Sequence, residues 1–486
     1  MRRYLAGVAL AAAAAAGSAG AAELSAQERA QITAAVDKGA PRMGEVARQI
    51  WGFAEVGYQE TKSSALLQSE LKKAGFKVEA GVAGMPTAFV ASFKTGEGPV
   101  LAILAEFDAL PGLAQAAEPT RRPVPGIAGH ACGHHMFGAA SVQAGIALAQ
   151  WMKAHGVKGE VRVYGTPAEE GGSGKVYMVR AGLFQDVDAT LHWHPGDAND
   201  ASQTVSLANV SGKFRFTGAS AHASGAPWRG RSALDAVEVM NVAVNMLREH
   251  VPDGTRIHYV ISDGGQAPNV VPEKAEVYYY VRHADPQVVR DVVARVQRAA
   301  EGAALATETK MSFEQTGGVY NMLPNETLAR VMDGNLRQVG GVRWDAQERA
   351  FAEAMAKQLP PSKATLESAS EIQPLRIGGD GGGSTDVADV SWVTPTVGMR
   401  SAVWVPGTPG HSWQAVAAGG TSMATKGGAV AAKTLALTGA QLFRDPALIA
   451  QAKAELVRKR GEGFVYKAMV GDRPPPLDYR GKAGGE

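Results

Sequence analysis

Three things are scarce in this chain. There is one cysteine, Cys132, among 486 residues, so no intrachain disulfide can form and stability has to come from a buried core. There is no surplus charge either, since 49 Lys and Arg stand against 47 Asp and Glu. Without Arg2 and Arg3 the two signs balance, which excludes the strong field that draws nucleic acid or another polyanion. Apart from residues 4–16 no long apolar run exists, and that run is shorter than the roughly 20 residues a spanning helix needs. Internal repeats are also missing. The expected partners therefore include no nucleic acid and no membrane.

The first residues carry a pattern of their own. Met1-Arg2-Arg3 is followed by an alanine-dominated apolar run and then by Ala19-Gly20-Ala21, a charged start, a short apolar core and a small-residue cleavage site. Residues 1–22 read as a secretory signal peptide, so the expected location is exported and periplasmic. The remaining length, with 45% hydrophobic residues and 58 glycines, suits an α/β protein of about two domains.

Apolar spacing predicts helices over 26–56 and 61–74. The continuous run 100–105 reads as a strand buried on both faces, delivering Glu106 and Asp108 at its carboxyl end. A glycine-flanked cluster follows, Gly129-His130-Ala131-Cys132-Gly133-His134-His135, then a helix over 136–155. A strand over 160–164 ends in Thr166-Pro167-Ala168-Glu169-Glu170-Gly171-Gly172, and a short one over 189–191 ends in His192-Trp193-His194-Pro195. Three successive strands thus end in candidate ligands, and in open α/β sheets functional groups gather at strand carboxyl ends.

From residue 206 the rhythm changes to strand 212–217, helix 232–250, strands 256–261 and 276–282, helix 286–301 and strand 310–315. That β-α-β-β-α-β order is ferredoxin-like. The expected division is a catalytic domain in two parts, 23–207 and 318–486, with an inserted domain at 208–317. Further on, helices are expected over 325–334 and 347–357 and a strand over 393–397. The glycine-rich stretch 378–386 lacks the Gly-Lys-Ser/Thr ending of a phosphate loop. Gly410-His411-Ser412 precedes a helix over 415–437, and the stretch from Arg473 onward reads as a loosely held tail.

Thiolate, imidazole and carboxylate together are a metal-binding repertoire. Cys132, His134, Glu170, His194 and His411 are the candidate ligands of two divalent ions, zinc or manganese, with cobalt as a third candidate. Glu169 is left as general base, because adjacent residues in an extended turn point different ways. His192 is the second choice to His194.

Several motifs in this order resemble the M20 metallopeptidases and amidohydrolases: Glu55-Val56-Gly57-Tyr58, Glu106-Phe107-Asp108-Ala109-Leu110-Pro111, the His-Ala-Cys-Gly-His loop, Pro167-Ala168-Glu169-Glu170, Gly218-Ala219-Ser220-Ala221-His222-Ala223, Asn269-Val270-Val271-Pro272 and Gly410-His411-Ser412. The branch resembled is the one in which cysteine replaces a usual ligand. The resemblance implies a zinc-peptidase-like catalytic domain with a mixed central sheet, plus an inserted ferredoxin-like α+β domain that mediates homodimerisation and acts as a lid. It also implies that His222 reaches the active site of the partner subunit to stabilise the oxyanion, and that Asn269 and Arg282 bind substrate, Arg282 as a fork for a carboxylate.

The implied activity is hydrolysis of an N-acyl amino acid, a dipeptide or an aminobenzoyl-glutamate-like amide by metal-activated water. Asp108 is expected to orient a ligand histidine. A related second subunit is the alternative to a homodimer. Two rival readings stand beside this one: a hydrolase with Cys132 as nucleophile, and a non-catalytic exported binding protein on the same fold.

Overall fold

The computed structural model describes residues 23–481; the signal peptide expected at 1–22 and the last five residues lie outside the described part. The first sheet is built from β1 (Lys77–Ala80), β2 (Phe89–Gly96), β3 (Val100–Ala105), β4 (Gly159–Gly165), β5 (Ala189–Gly196) and, much later in the chain, a last strand, Thr396–Ala402. The order across it is β1, β2, β4, β3, β5 and the last strand. β4, β3, β5 and Thr396–Ala402 run parallel, while β1 and β2 pair antiparallel. The sheet is therefore mixed, with β1 and β2 at one edge and four parallel strands running from β4 to the other edge.

Leu101, Ala102, Ile103, Leu104 and Ala105 are all fully buried, as the unbroken apolar run requires of a central parallel strand. Helix His134–His155 lies across β3, β4 and β5 and is flanked by Ala26–Phe53 and Ser422–Arg444. The first of these is fixed at its start by a capping box, in which Ser25 accepts from the Glu28 amide and Glu28 reaches back to the Ser25 amide. It stops at Ala54, which takes a left-handed conformation at φ +44°.

Between β5 and the last strand the chain leaves this sheet and forms a second one from β6 (Ala208–Thr217), β7 (Arg256–Asp263), β8 (Lys274–His283) and β9 (Lys310–Val319). All neighbours are antiparallel in the order β7, β8, β6, β9, the arrangement of a ferredoxin-like unit. Ala275, Val277, Tyr279 and Val281 are buried along β8 while Tyr278 and Tyr280 are half-buried, so one face is covered by the helices Ala233–Leu247 and Pro286–Ala306. The last strand of the first sheet is numbered β10 hereafter.

Several expectations need correction. The histidine-bearing strand does not end at residue 191; it continues through Gly196, so His192 and His194 lie inside β5 on one face, with Trp193 turned the other way into the core. The helix expected at 136–155 starts two residues earlier and takes His134 and His135 into its first turn. The strand expected at 393–397 is β10, displaced because Val387–Ser391 forms a short helix. The long helix expected at 415–437 is two helices, Trp413–Gly419 and Ser422–Arg444. Residues 473–481 are not a loose tail: Arg473 donates to the Gln315 carbonyl at 2.7 Å, and Tyr479 to that of Glu170 at 2.9 Å. Among the described residues, no helix is long and apolar enough to cross a membrane.

Candidate metal centre

The parallel strands deliver the site. β3 runs into Glu106 and Asp108, β4 into the turn that carries Glu169 and Glu170, and β5 presents His194 from within the strand. The cysteine loop is brought against β5 by Gly133, which sits at φ +78° and where any Cβ would stand 2.6 Å from Pro195 Cβ. Only glycine meets both demands, the left-handed backbone and the close approach.

Among the described residues three sets of donor atoms result, each mutually within 4.8 Å: Cys132, His134 and His194; Cys132, Glu170 and His411; and Glu106, His134 and Glu169. The first two sets contain all five candidate ligands and share Cys132. Cys132 Sγ lies 3.4 Å from His194 Nε2, and His411 Nε2 lies 3.1 Å from Glu170 Oε1. The loop carrying His411 is tied to the cysteine loop by its own amide, which donates to the Ala131 carbonyl at 3.0 Å. The His192 imidazole instead packs over Gly398, and burial together with the Lys175 charge pushes its pKa down to about 3. Of the two candidates on β5, His194 is the one that faces Cys132.

The orienting contacts are also in place. Asp108 Oδ1 lies 2.8 Å from His134 Nδ1, and its Oδ2 accepts from the Glu170 amide at 2.9 Å, so one buried carboxylate aligns two candidate ligands. His194 Nδ1 lies 2.7 Å from the Pro195 carbonyl, which leaves Nε2 for the centre. The other two imidazoles of the cluster do structural work: His130 Nε2 lies 3.0 Å from the Ile50 carbonyl and His135 Nε2 lies 2.9 Å from that of Gly419.

The electrostatics suit cations. Among the described residues, His134 Nε2, Glu106 Oε2 and Glu170 Oε1 are buried with only one another or a neighbouring candidate ligand in reach, His134 Nε2 3.0 Å from Glu106 Oε2 and Glu170 Oε1 3.1 Å from His411 Nε2. Burial, then the charges of Glu106 and Glu170, push Glu169 well above the usual carboxylate range. Burial raises the Cys132 thiol to about 12, the opposite of what a nucleophilic cysteine requires. A divalent ion among these donors reverses both penalties, because it favours the deprotonated form of every ligand. The donor set thus fits metal, with Cys132, His134, Glu170, His194 and His411 as the groups to hold it.

Two residues of this region were not expected from sequence. Lys175 and Asp386 are buried behind the site, with Lys175 Nζ 2.7 Å from Glu106 Oε1 and 2.8 Å from Asp386 Oδ1. A lysine in a short helix reads as solvated, and nothing local marks it otherwise. The remaining candidates lie on the second sheet's domain. His222 and Asn269 are exposed side by side, the Ala223 amide donating to the Asn269 carbonyl at 3.0 Å. His222 Nδ1 accepts from the Gly225 amide at 3.0 Å, which leaves the ring proton on Nε2. Arg282, near the end of β8, donates from Nη1 to Ser384 Oγ in the glycine-rich stretch at 3.3 Å. Among the described residues, no hydrogen bond or ion pair joins these three to the five candidate ligands of their own chain.

Fold and site together define an α/β protein with two sheets and a cluster of candidate metal ligands gathered at the carboxyl-end side of parallel strands. Residues 208–308 match the family model described as a peptidase dimerisation domain of the M20 type. The chain is 41% identical over 459 residues to one subunit of p-aminobenzoyl-glutamate hydrolase from Escherichia coli strain K12, covering 87% of this chain and 94% of that one. Among solved structures it resembles an aminobenzoyl-glutamate utilization protein from Klebsiella pneumoniae at TM-score 0.55 and 21% identity, covering 80% of this chain and 96% of that one. It also resembles a dinuclear metal-binding peptidase of the M20 family from Bacillus subtilis at TM-score 0.52 and 18% identity, covering 82% and 98%. The chain belongs to the M20 family of metallopeptidases and amidohydrolases.

Proposed function

We propose that this protein is a metal-dependent amidohydrolase that cleaves the amide bond of p-aminobenzoyl-glutamate-like substrates, N-acyl amino acids or dipeptides. The single observation that carries this reading is the pair of donor triads sharing Cys132, with Glu169 beside them. Two divalent ions held by Cys132, His134, Glu170, His194 and His411 would supply Lewis acidity and make a water easier to deprotonate.

The chain's own residues do the rest. Glu169 takes the proton of the attacking water and hands it to the leaving amine, a role left open to it because both triads that share Cys132 omit it while it lies within reach of His134. His222 donates from Nε2 to the developing oxyanion in the partner subunit's cleft. Asn269 and Arg282 bind the substrate, Arg282 pairing with a carboxylate such as that of glutamate. In this reading residues 23–207 and 318–486 form the catalytic unit and 208–317 the dimerising lid. Support for a homodimer through that lid comes from its exposed apolar side chains, Val242 and Met246 on one helix and Val260 on edge strand β7, at 54%, 67% and 57% exposure. A second, related subunit is the alternative partner, since the similar Escherichia coli protein is itself named as one subunit of its hydrolase. The leader-like residues 1–22 support a periplasmic site for the reaction.

The test is to strip the purified protein with a chelator, restore zinc, manganese or cobalt singly, and assay p-aminobenzoyl-glutamate, N-acyl amino acids and dipeptides. Activity is expected to vanish and return with metal; turnover that survives complete stripping overturns the proposal. A Cys132 nucleophile predicts the reverse pattern, insensitivity to chelation and loss on alkylation.

A further inference from the structure

The turn carrying Glu169 and Glu170 is strained and gripped from several sides. Ala168 and Ser173 hold φ values of +57° and +60°, a left-handed conformation that is strained for a residue with a side chain and persists only where neighbours enforce it. The Ala168 amide donates to Glu60 at 2.8 Å, the Glu170 amide to Asp108 at 2.9 Å, and the Tyr58 hydroxyl to the Gly172 carbonyl at 2.7 Å. Those contacts leave the Glu170 carbonyl, and it is taken from the far end of the sequence. Tyr479 donates its hydroxyl to that oxygen at 2.9 Å, and Arg480 Nη2 donates to the same atom.

This segment is built into the fold. The Tyr479 ring meets Tyr58 edge-on at 5.7 Å, and its hydroxyl occupies the space that a Cβ on Gly57 would need. Upstream, Arg180 Nη1 donates to the carbonyls of Gly471 and Arg473 at 2.6 and 2.8 Å, and Arg473 ties back to Gln315 on β9. Gln59 donates to the Gly481 carbonyl just beyond the pair. Residues 471–481 therefore run as a strap from the inserted domain to the backbone of a candidate ligand.

We propose that Tyr479 and Arg480 are positioning residues for the metal site, fixing the peptide of Glu170 so that its carboxylate is presented to Cys132 and His411. The inference rests on the metal-dependent reading above and adds residues to it. Neither side chain touches the ligand's carboxylate; both act through the carbonyl of the turn. Their effect should fall on the ion held by Cys132, Glu170 and His411, leaving the Cys132, His134 and His194 set unaffected. Outer partners of this kind typically govern about ten- to a hundredfold in metal affinity.

The experiment compares full-length wild type with Tyr479→Phe, Arg480→Met, the double variant and Arg480→Lys. Each is stripped, dialysed against graded free zinc, and its metal counted per chain, with kcat, KM and the thermal midpoint recorded alongside. Tyr479→Phe removes one oxygen and keeps the ring against Tyr58, so the fold is retained. The expected result is two ions per wild-type chain, with one of the two bound about tenfold more weakly or worse in the double variant and the other unchanged. Arg480→Lys, which keeps a donor, should recover much of the loss seen in Arg480→Met. A folded double variant that binds both ions with wild-type affinity overturns the inference while leaving the metal-dependent reading intact. A wild-type chain that takes up no metal overturns that reading itself.

Discussion

Lys175 places its ammonium 2.7 Å from Glu106 and 2.8 Å from Asp386, and none of the three side chains is more than 2% exposed. The Lys175 amide donates to Asp386 as well, at 2.9 Å, so the helix Gly174–Arg180 is locked by its first residues to the start of the helix Val387–Ser391. One cation thus partners two buried carboxylates, and one of these, Glu106, faces His134. Removing the cation leaves two charges unpaired in a dry interior, which is far costlier than removing the pair together.

Lys175→Met should therefore destabilise the protein by about 3–5 kcal/mol. Urea unfolding followed by circular dichroism reads this directly. Adding Asp386→Asn to the same chain should recover part of the loss, and a single variant as stable as wild type would show that the triad is not the anchor described.

Glu169→Gln should lower kcat by about a hundredfold or more while both ions stay bound, because a general base contributes roughly 10²–10⁴ to rate and both triads that contain Cys132 omit Glu169. Metal counting alongside steady-state kinetics checks it. Loss of metal in parallel with activity would make Glu169 a ligand instead.

His222 is exposed, and among the described residues its polar contacts stay within its own turn rather than reaching the candidate ligands of its chain. Glu169→Gln and His222→Ala homodimers should each be nearly inactive. Mixed dimers should recover activity at one of their two sites, the one that receives His222 from the Glu169→Gln subunit and supplies its own Glu169. Subunits that can exchange yet give complete inactivity on mixing would rule out sharing across the dimer.

Glu455 closes the start of the helix Glu326–Val339, accepting from the amides of Glu326 and Thr327 at 2.7 and 2.9 Å and from Lys459 at 2.7 Å. Burial works to raise its pKa, but Lys459 and those amides outweigh it and hold the carboxyl down to about 2 from 4.5. A depressed carboxyl stabilises the fold above its unfolded pKa, and that stability drains away as pH falls from about 4.5 toward 2. Glu455→Gln should cost about 1 kcal/mol at neutral pH, as lost helix caps do, and should flatten the acid limb of the thermal midpoint across that window. Identical acid limbs in the two proteins would refute the assignment.

How far the chain could be read from its residues differs from site to site. The β-α-β-β-α-β order of the insert was legible because each element carries its own apolar period, two for β8 and near 3.6 for Pro286–Ala306. The choice between His192 and His194 was not, since residues two apart on a strand share a face; contact between Gly133 and Pro195 on a different element separates them. Nothing local marks Lys175 as buried, and the stretch from Arg473 onward reads as a loose tail, because their partners lie far away in sequence: Asp386 for the first, Gln315 and Glu170 for the second.

By itself the sequence determined the inventory of donors, the strands that carry most of them and the presence of a second sheet interrupting the first, for these follow from residue chemistry and local periodicity. Only the tertiary structure decided that the donors fall into two triads around one cysteine, that a buried lysine backs them, and that the last described residues grip the turn. Those are contacts between segments remote in the chain, and they are set by packing that no local pattern encodes.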